Sequence, residues 1–335
     1  LLAPIWFPRL AGSPEIAKVG LPYLYCRLAA TVLVGMHFSF RAFWNATGRS
    51  TFYMLNLLVM HSLNVALDWV LIYGKLGAPR LGVTGAGVAS AVAASVGVAL
   101  HFYVAQRDAR GQGFMRRLPS RLELSNMLQI SLPTSLQQLF FAGGMTALMA
   151  ILARAGSATA ASTKVLMDLS LAGLLPAMGF GMAGTTLVSQ ALGRRDARDA
   201  KRWGGEVARV AALSVGVLAI PALAFPTAVL QNFLSDPATI AMAAPALRIM
   251  AATISVDAAA MVLQSCLIGA GDSRRVMFVS LLMQWVVFLP CAATLVLGMG
   301  RGLLEVWLLY AVYRLLQAAV FTSLWQRERW MSIKL

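Results

Sequence analysis

The chain has 335 residues, of which 59% are hydrophobic and only 12% charged, with a mean hydropathy of +0.72 and a formal net charge of +15. A soluble domain carries about 25% charged residues, so these values exclude water as the solvent for most of the surface and point to the bilayer. A basic balance can also serve nucleic acid, but here Lys and Arg gather in short loops between apolar runs, which argues against such a partner.

A membrane helix needs about 20 mostly apolar residues. Nine stretches qualify: 20–45, 52–74, 82–104, 126–153, 161–191, 204–230, 240–270, 276–299 and 303–326. Residues 1–8 read as the tail of another helix, and a chain that opens on Leu1 in such a tail is expected to be a fragment. The first span holds Pro22, Arg27 near its outer end, and His37. The second holds His61 and the run Leu63-Asn-Val-Ala-Leu-Asp-Trp-Val-Leu-Ile-Tyr-Gly74, in which Asn64 and Asp68 share one helix face. They can form a small ion site, or Asn64 can simply hydrogen-bond a neighbouring helix. The third span opens on Gly82-Val-Thr-Gly-Ala-Gly-Val-Ala-Ser90, whose small residues favour close packing, and holds His101. Single histidines can relay protons, although a hydrogen-bonded structural role is the plainer expectation for all three.

In the fourth span Gln137 and Gln138 follow Pro133 and are candidates to line a cavity. The fifth holds Lys164 and Asp168, opposite charges four apart that should neutralise each other. The seventh holds Arg248, expected to snorkel as Arg27 does, and one carboxylate, Asp257, near mid-depth. An ionisable group there costs about 2.5–3.5 kcal/mol on insertion scales and should face a cavity or a partner. Asp257 is either a buried structural acid or a cation or proton site. Arg314, midway along the ninth span, is expected to have an interior partner or a watery cavity, and the sequence names neither. The cysteines Cys26, Cys266 and Cys291 form neither a metal spacing nor a disulfide framework. No phosphate-binding loop, metal cluster or nucleophile–base arrangement appears. Gly111-Gln-Gly113 lies in a basic loop with no strand before it. The expectation is a protein that is not an enzyme and needs no cofactor beyond a coupling ion.

The loops sort by charge. Sixteen Lys and Arg fall on the side holding 46–51, 105–125, 192–203, 271–275 and 327–335, against six (Arg9, Lys18, Lys75, Arg80, Arg154, Arg301) on the other. Cytoplasmic loops carry the excess of cations, so the first side and the C-terminus are expected to be cytoplasmic. A shift of 223 residues aligns the chain with itself. Ser13-Pro14 falls on Asp236-Pro237, Pro22 on Pro245, and Gly48, Ser50 and Met54 on Gly271, Ser273 and Met277. Leu81 and Val83 fall on Leu304 and Val306. Such repeats are common in transporters. The expected organisation is the last three helices of an N-terminal lobe in 1–110, a cytoplasmic linker in 111–125, and a six-helix C-terminal lobe in 126–335. Three helices of the first copy are then expected to be missing.

With these motifs on the page, the chain resembles the multidrug and toxic compound extrusion (MATE) transporters over essentially its whole length. The resemblance is carried by the Leu63–Gly74 run with Leu81-Gly-Val-Thr-Gly-Ala-Gly-Val-Ala-Ser90, by Leu132-Pro-Thr-Ser-Leu-Gln137, by Thr186-Leu-Val-Ser-Gln-Ala-Leu-Gly193 and by Leu267-Ile-Gly-Ala-Gly-Asp-Ser273. It implies an all-α membrane protein of twelve helices in two six-helix lobes. It implies an antiporter of cationic or amphipathic compounds against H⁺ or Na⁺, acting by alternating access. Asp257 sits where one branch of the family carries a cation-binding aspartate, and Asn64, Asp68 and Ser90 match polar positions of an N-lobe ion site in other members. The family's N-lobe site normally adds an acid on the first helix, absent here, and the branch with the C-lobe aspartate often adds a glutamate after the proline of the helix holding Gln137 and Gln138. Either glutamine could offer an amide oxygen instead. Na⁺ at Asp257 or at Asn64 and Asp68, an inner-membrane location and a monomer surrounded by lipid complete the expectation. The alternative is a flippase for lipid-linked precursors, which should place several Arg and Lys in a cavity.

Overall fold

The computed structural model describes Phe7, residues 14–108, Arg110, Phe114, Met115 and residues 118–332. Apart from Phe7, the helix tail expected over 1–8 lies outside the described residues, as do Gly111-Gln-Gly113 and the cations Arg9, Arg116, Arg117 and Lys334. Among the described residues there are only helices and turns, and nine of the helices are long and apolar enough to cross a membrane. They are α1 (Pro14–Ala46), α2 (Ser50–Tyr73), α3 (Val83–Asp108), α4 (Arg121–Ala153), α5 (Ser157–Gly193), α6 (Ala197–Ala224), α7 (Pro237–Gly269), α8 (Ser273–Gly298) and α9 (Leu303–Gln326). All nine expected spans are present, and several run past their apolar cores.

The extensions have local causes. α4 starts at Arg121 rather than 126 because Ser120 accepts from the Glu123 backbone N–H at 3.2 Å while the Glu123 carboxylate accepts from the Ser120 N–H at 2.7 Å. This reciprocal cap satisfies two donors that a helix start leaves free. α7 starts at Pro237 behind Asp236, whose side chain accepts from the Thr239 N–H at 2.9 Å. Proline suits a first helical position because its missing N–H is unused there. α6 ends at Ala224 and a five-residue helix follows from Pro226 to Leu230, since Pro226 cannot continue the preceding ladder. α8 widens into π-helical turns at Leu282–Phe288 and Thr294–Gly298, on either side of Pro290. Such turns absorb a local break in the hydrogen-bond ladder.

The chain falls into two compact units, one ending at Leu118 and the other starting at Pro119. In the first, α3 packs against both α1 and α2. In the second, α7 is the central helix, packed against α5, α6 and α9, while α4 pairs with α8. Small residues allow the tight contacts around α7. A Cβ added at Gly181 would lie 2.7 Å from Ser265 Oγ, and one at Gly184 would lie 2.8 Å from Cys266 Sγ. The same interface is tied by hydroxyls: Thr185 Oγ1 donates to the Ser265 carbonyl at 2.8 Å and Ser189 Oγ to the Gly269 carbonyl at 3.0 Å. Interhelical bonds of this kind average about 0.6 kcal/mol in a bilayer, so packing supplies most of the adhesion.

The repeat appears in the helix boundaries. α1 spans Pro14–Ala46 and α7 spans Pro237–Gly269, offset by 223 at both ends, and α2 and α8 start at Ser50 and Ser273 with the same offset. The turns between them place Gly48 and Gly271 at φ of +75° and +88°, a left-handed conformation that glycine adopts without steric cost.

Candidate functional site

The central helix carries the site. Asp257 points from α7 toward α9 and forms an ion pair with Arg314. The side chains are 9% and 12% exposed respectively, so the pair is nearly closed off. Counting back from Gly269 and from Gln326, each partner lies twelve residues from the end of its helix on the cation-rich side. At 1.5 Å per residue both stand about 18 Å from that end, at one level within the span. Arg314 Nη1 also donates to Gln317 Oε1 at 2.7 Å, and Tyr313 lies beside it with its ring centroid 6.0 Å from the guanidinium carbon. Tyr313 stacks on Phe288 at 4.9 Å and Tyr310 meets the same ring at 5.5 Å, which walls the neighbourhood with aromatic surface. Arg314 Nε is buried with no hydrogen-bond partner among the described residues.

The pair resolves the two isolated charges of the sequence. Neither Asp257 nor Arg314 has an oppositely charged residue near it along the chain. Each is the other's partner, and the arrangement spares the bilayer two lone charges. Chemically the two side chains are of opposite formal charge and sum to zero.

The other candidates are placed as follows. Asn64 Nδ2 donates to Ser90 Oγ at 3.4 Å, joining α2 to α3. Asp68, one turn further along α2, keeps one buried oxygen without a hydrogen bond. These three form a polar set within the first unit, with Asn64 nine and Asp68 five residues from the Tyr73 end of α2 and Ser90 on α3. Gln137 is buried and donates to Ser280 Oγ on α8 at 3.2 Å, whereas Gln138 is exposed. Gln137 therefore bridges α4 to α8, and Gln138 is not beside it in the interior. Lys164 and Asp168 pair on an exposed face at 2.5 Å. Arg27 and Arg248 are exposed.

Two histidines form a further buried group in the first unit, and His61 is exposed. His37 Nε2 donates to the Ala94 carbonyl at 3.2 Å, and Trp44 Nε1 donates to His101 Nδ1 at 3.1 Å. The indole N–H can only donate, so His101 Nδ1 carries no proton. The two imidazoles stand 5.1 Å apart, edge to face, and tie α1 to α3.

The fold and the site define an α-helical multi-pass membrane protein with a buried carboxylate–guanidinium pair at the heart of one helical unit. Residues 133–294 match the family model described as MatE. A probable multidrug resistance protein NorM of Thermotoga maritima is 26% identical, over 90% of this chain and 65% of its own length. The NorM of Mannheimia succiniciproducens is 27% identical over 84% of this chain and 62% of its own length. The chain thus spans somewhat less than two thirds of these curated relatives. Among solved structures, a MOP superfamily transporter from Pyrococcus furiosus superposes with a TM-score of 0.86 at 20% identity, over 99% of this chain and 74% of its own. An outward-facing multidrug resistance MATE family transporter superposes with a TM-score of 0.85 at 20% identity, over 98% and 73% of the two chains. Residues 133–294 are thus similar to the MatE family model, and the chain has the all-α membrane fold of the transporter structures it superposes on.

Proposed function

We propose that the protein works as a secondary antiporter that exports cationic or amphipathic small molecules in exchange for inflowing H⁺ or Na⁺, by alternating access. The observation that carries this reading is the buried pair of Asp257 and Arg314. A carboxylate held inside a span by one movable cation can exchange that cation for a proton, a metal ion or the positive group of a cargo molecule. Because these ligands share one carboxylate, binding of one disfavours the others, and that linkage couples two flows in opposite directions. The relatives named for multidrug resistance support the cargo class. Asn64, Asp68 and Ser90 form a second candidate ion site, and Gln137 acts as a structural bridge. Arg314, the mid-span arginine among the described residues, is already paired with Asp257, which disfavours a flippase that binds pyrophosphate. The charge sorting of the loops supports an inner-membrane protein with its C-terminus in the cytoplasm.

The test is efflux of a fluorescent organic cation from proteoliposomes under an imposed H⁺ or Na⁺ gradient. Asp257→Asn should abolish gradient-driven efflux while the protein still inserts. Undiminished export by that variant would overturn the assignment of Asp257.

A further inference from the structure

A groove of about 590 Å³ runs between α4 and α8, and neither Asp257 nor Arg314 lines it. Leucines line it along the whole of α4 (Leu124, Leu128, Leu132 and Leu136), and its polar groups are confined to one end: Arg121 at the cation-rich end, then Ser125 and Gln129. These residues recur at intervals of three or four and so share one helix face. From Arg121 to Leu136 the face covers about 22 Å. The opposing wall repeats the order, with Arg274 at the same end and Met277 and Phe278 deeper. No acidic residue lines the groove. Both arginines are exposed, and among the described residues neither is in an ion pair.

Charge, then hydroxyl and amide, then hydrocarbon alone is the order of groups along an anionic phospholipid. We propose that this groove holds one such lipid of the cytoplasmic leaflet. Its phosphodiester sits at Arg121 and Arg274, its ester region at Ser125 and Gln129, and an acyl chain along Leu132, Leu136 and Phe278. The two guanidinium groups suit a phosphate because each presents a planar fork of donors. Bulk bilayer already solvates the leucines, so selectivity rests on the arginines. A basic residue near an anionic surface contributes about a fivefold preference, and two acting independently on one headgroup give roughly twenty-fivefold. The assignment of leaflet rests on the orientation proposed above, whereas the groove and its ligand do not depend on the antiport reading.

Native mass spectrometry of the full chain, released from mixed phosphatidylglycerol and phosphatidylcholine nanodiscs, tests the proposal. The wild type should retain one phosphatidylglycerol in at least tenfold preference over phosphatidylcholine. Arg121→Gln/Arg274→Gln should bring that preference close to one. The exposed pair Arg194→Gln/Arg195→Gln, outside the groove, should leave it unchanged. Leu132→Trp, which fills the apolar end without altering charge, should lower retention of the lipid. Equal retention of the two lipids by the wild type would overturn the proposal. So would an unchanged preference in the Arg121 and Arg274 variant, or an equal loss in the Arg194 and Arg195 control. If dodecyl phosphate is retained at this groove and phosphatidylglycerol is not, the ligand is a free amphiphile and the lipid assignment fails.

Discussion

Removing one member of the Asp257–Arg314 pair leaves the other charge buried without compensation, a loss that costs about 3–5 kcal/mol in known cases. Asp257→Asn and Arg314→Gln should each lower the melting temperature of the detergent-solubilised protein. The double variant should recover part of that loss, because no lone charge remains. Additive losses in the thermal melts would show that the two side chains do not act as a pair. A different acid answers to pH. Asp236, outside the span, accepts from the Thr239 hydroxyl and backbone N–H, and these bonds hold its carboxyl below the usual carboxylate range. Its capping contribution is therefore complete above the ordinary carboxylate pKa of about 4 and is lost as pH falls through the lower folded value. Melts recorded on descending through this range should show a dependence that Asp236→Asn reduces, since the amide still caps but does not titrate. At this scale the sequence exposed the two buried charges but not their bond, because α7 and α9 are separated by the whole of α8. The usable signal was positional: Asp257 and Arg314 stand equally far from helix ends that share one side of the membrane. Gln137 and Gln138 differ in burial, the first buried and the second exposed, because neighbouring residues on a helix face different ways.

Helix α6 meets the end of α9 at Gly204. A Cβ added there would lie 2.2 Å from the Trp325 ring, which stacks on Trp330 at 4.2 Å and so has little freedom to move. Gly204→Ala should destabilise the second unit by about 1–3 kcal/mol, the usual range for overpacking. Gly205→Ala, with nothing within 4 Å of the added carbon, should be neutral or slightly stabilising. Comparison of the two thermal melts checks the contact, and equal behaviour would remove it. Helix existence was legible throughout from apolar run length, and helix starts were not. The capping groups that set them, Ser120 with Glu123 and Asp236 with Thr239, are polar and lie outside the apolar window. The π-helical turns of α8 were equally invisible, since Pro290 announces a disturbance without stating its form. The apolar runs already assigned the polar residues to their helices, whereas the pairing of Asp257 with Arg314 emerged only from the packing.

At the scale of the molecule, one scaffold is used twice with different polar content. Under the offset of 223, Asp257 and Arg314 fall on Val34 and Ala91, while Asn64 and Asp68 fall on Val287 and Cys291. The helix plan is shared, and the charges are not. The orientation has its own check. With the native cysteines replaced, a cysteine at Ser235 should react with an impermeant maleimide in intact cells, and one at Arg198 only after the membrane is opened. The reverse pattern would invert the topology. The neutrality of the buried pair also has an electrical consequence. Moving one elementary charge through 100 mV is worth about 2.3 kcal/mol, but Asp257 and Arg314 together carry none. In the proposed cycle the resting carrier can therefore reorient without the membrane voltage pulling on this site. The voltage dependence of turnover then resides in the step taken with ligand bound, and Arg314→Gln, by leaving a lone carboxylate, should move it to the return step, where displacement currents would record it.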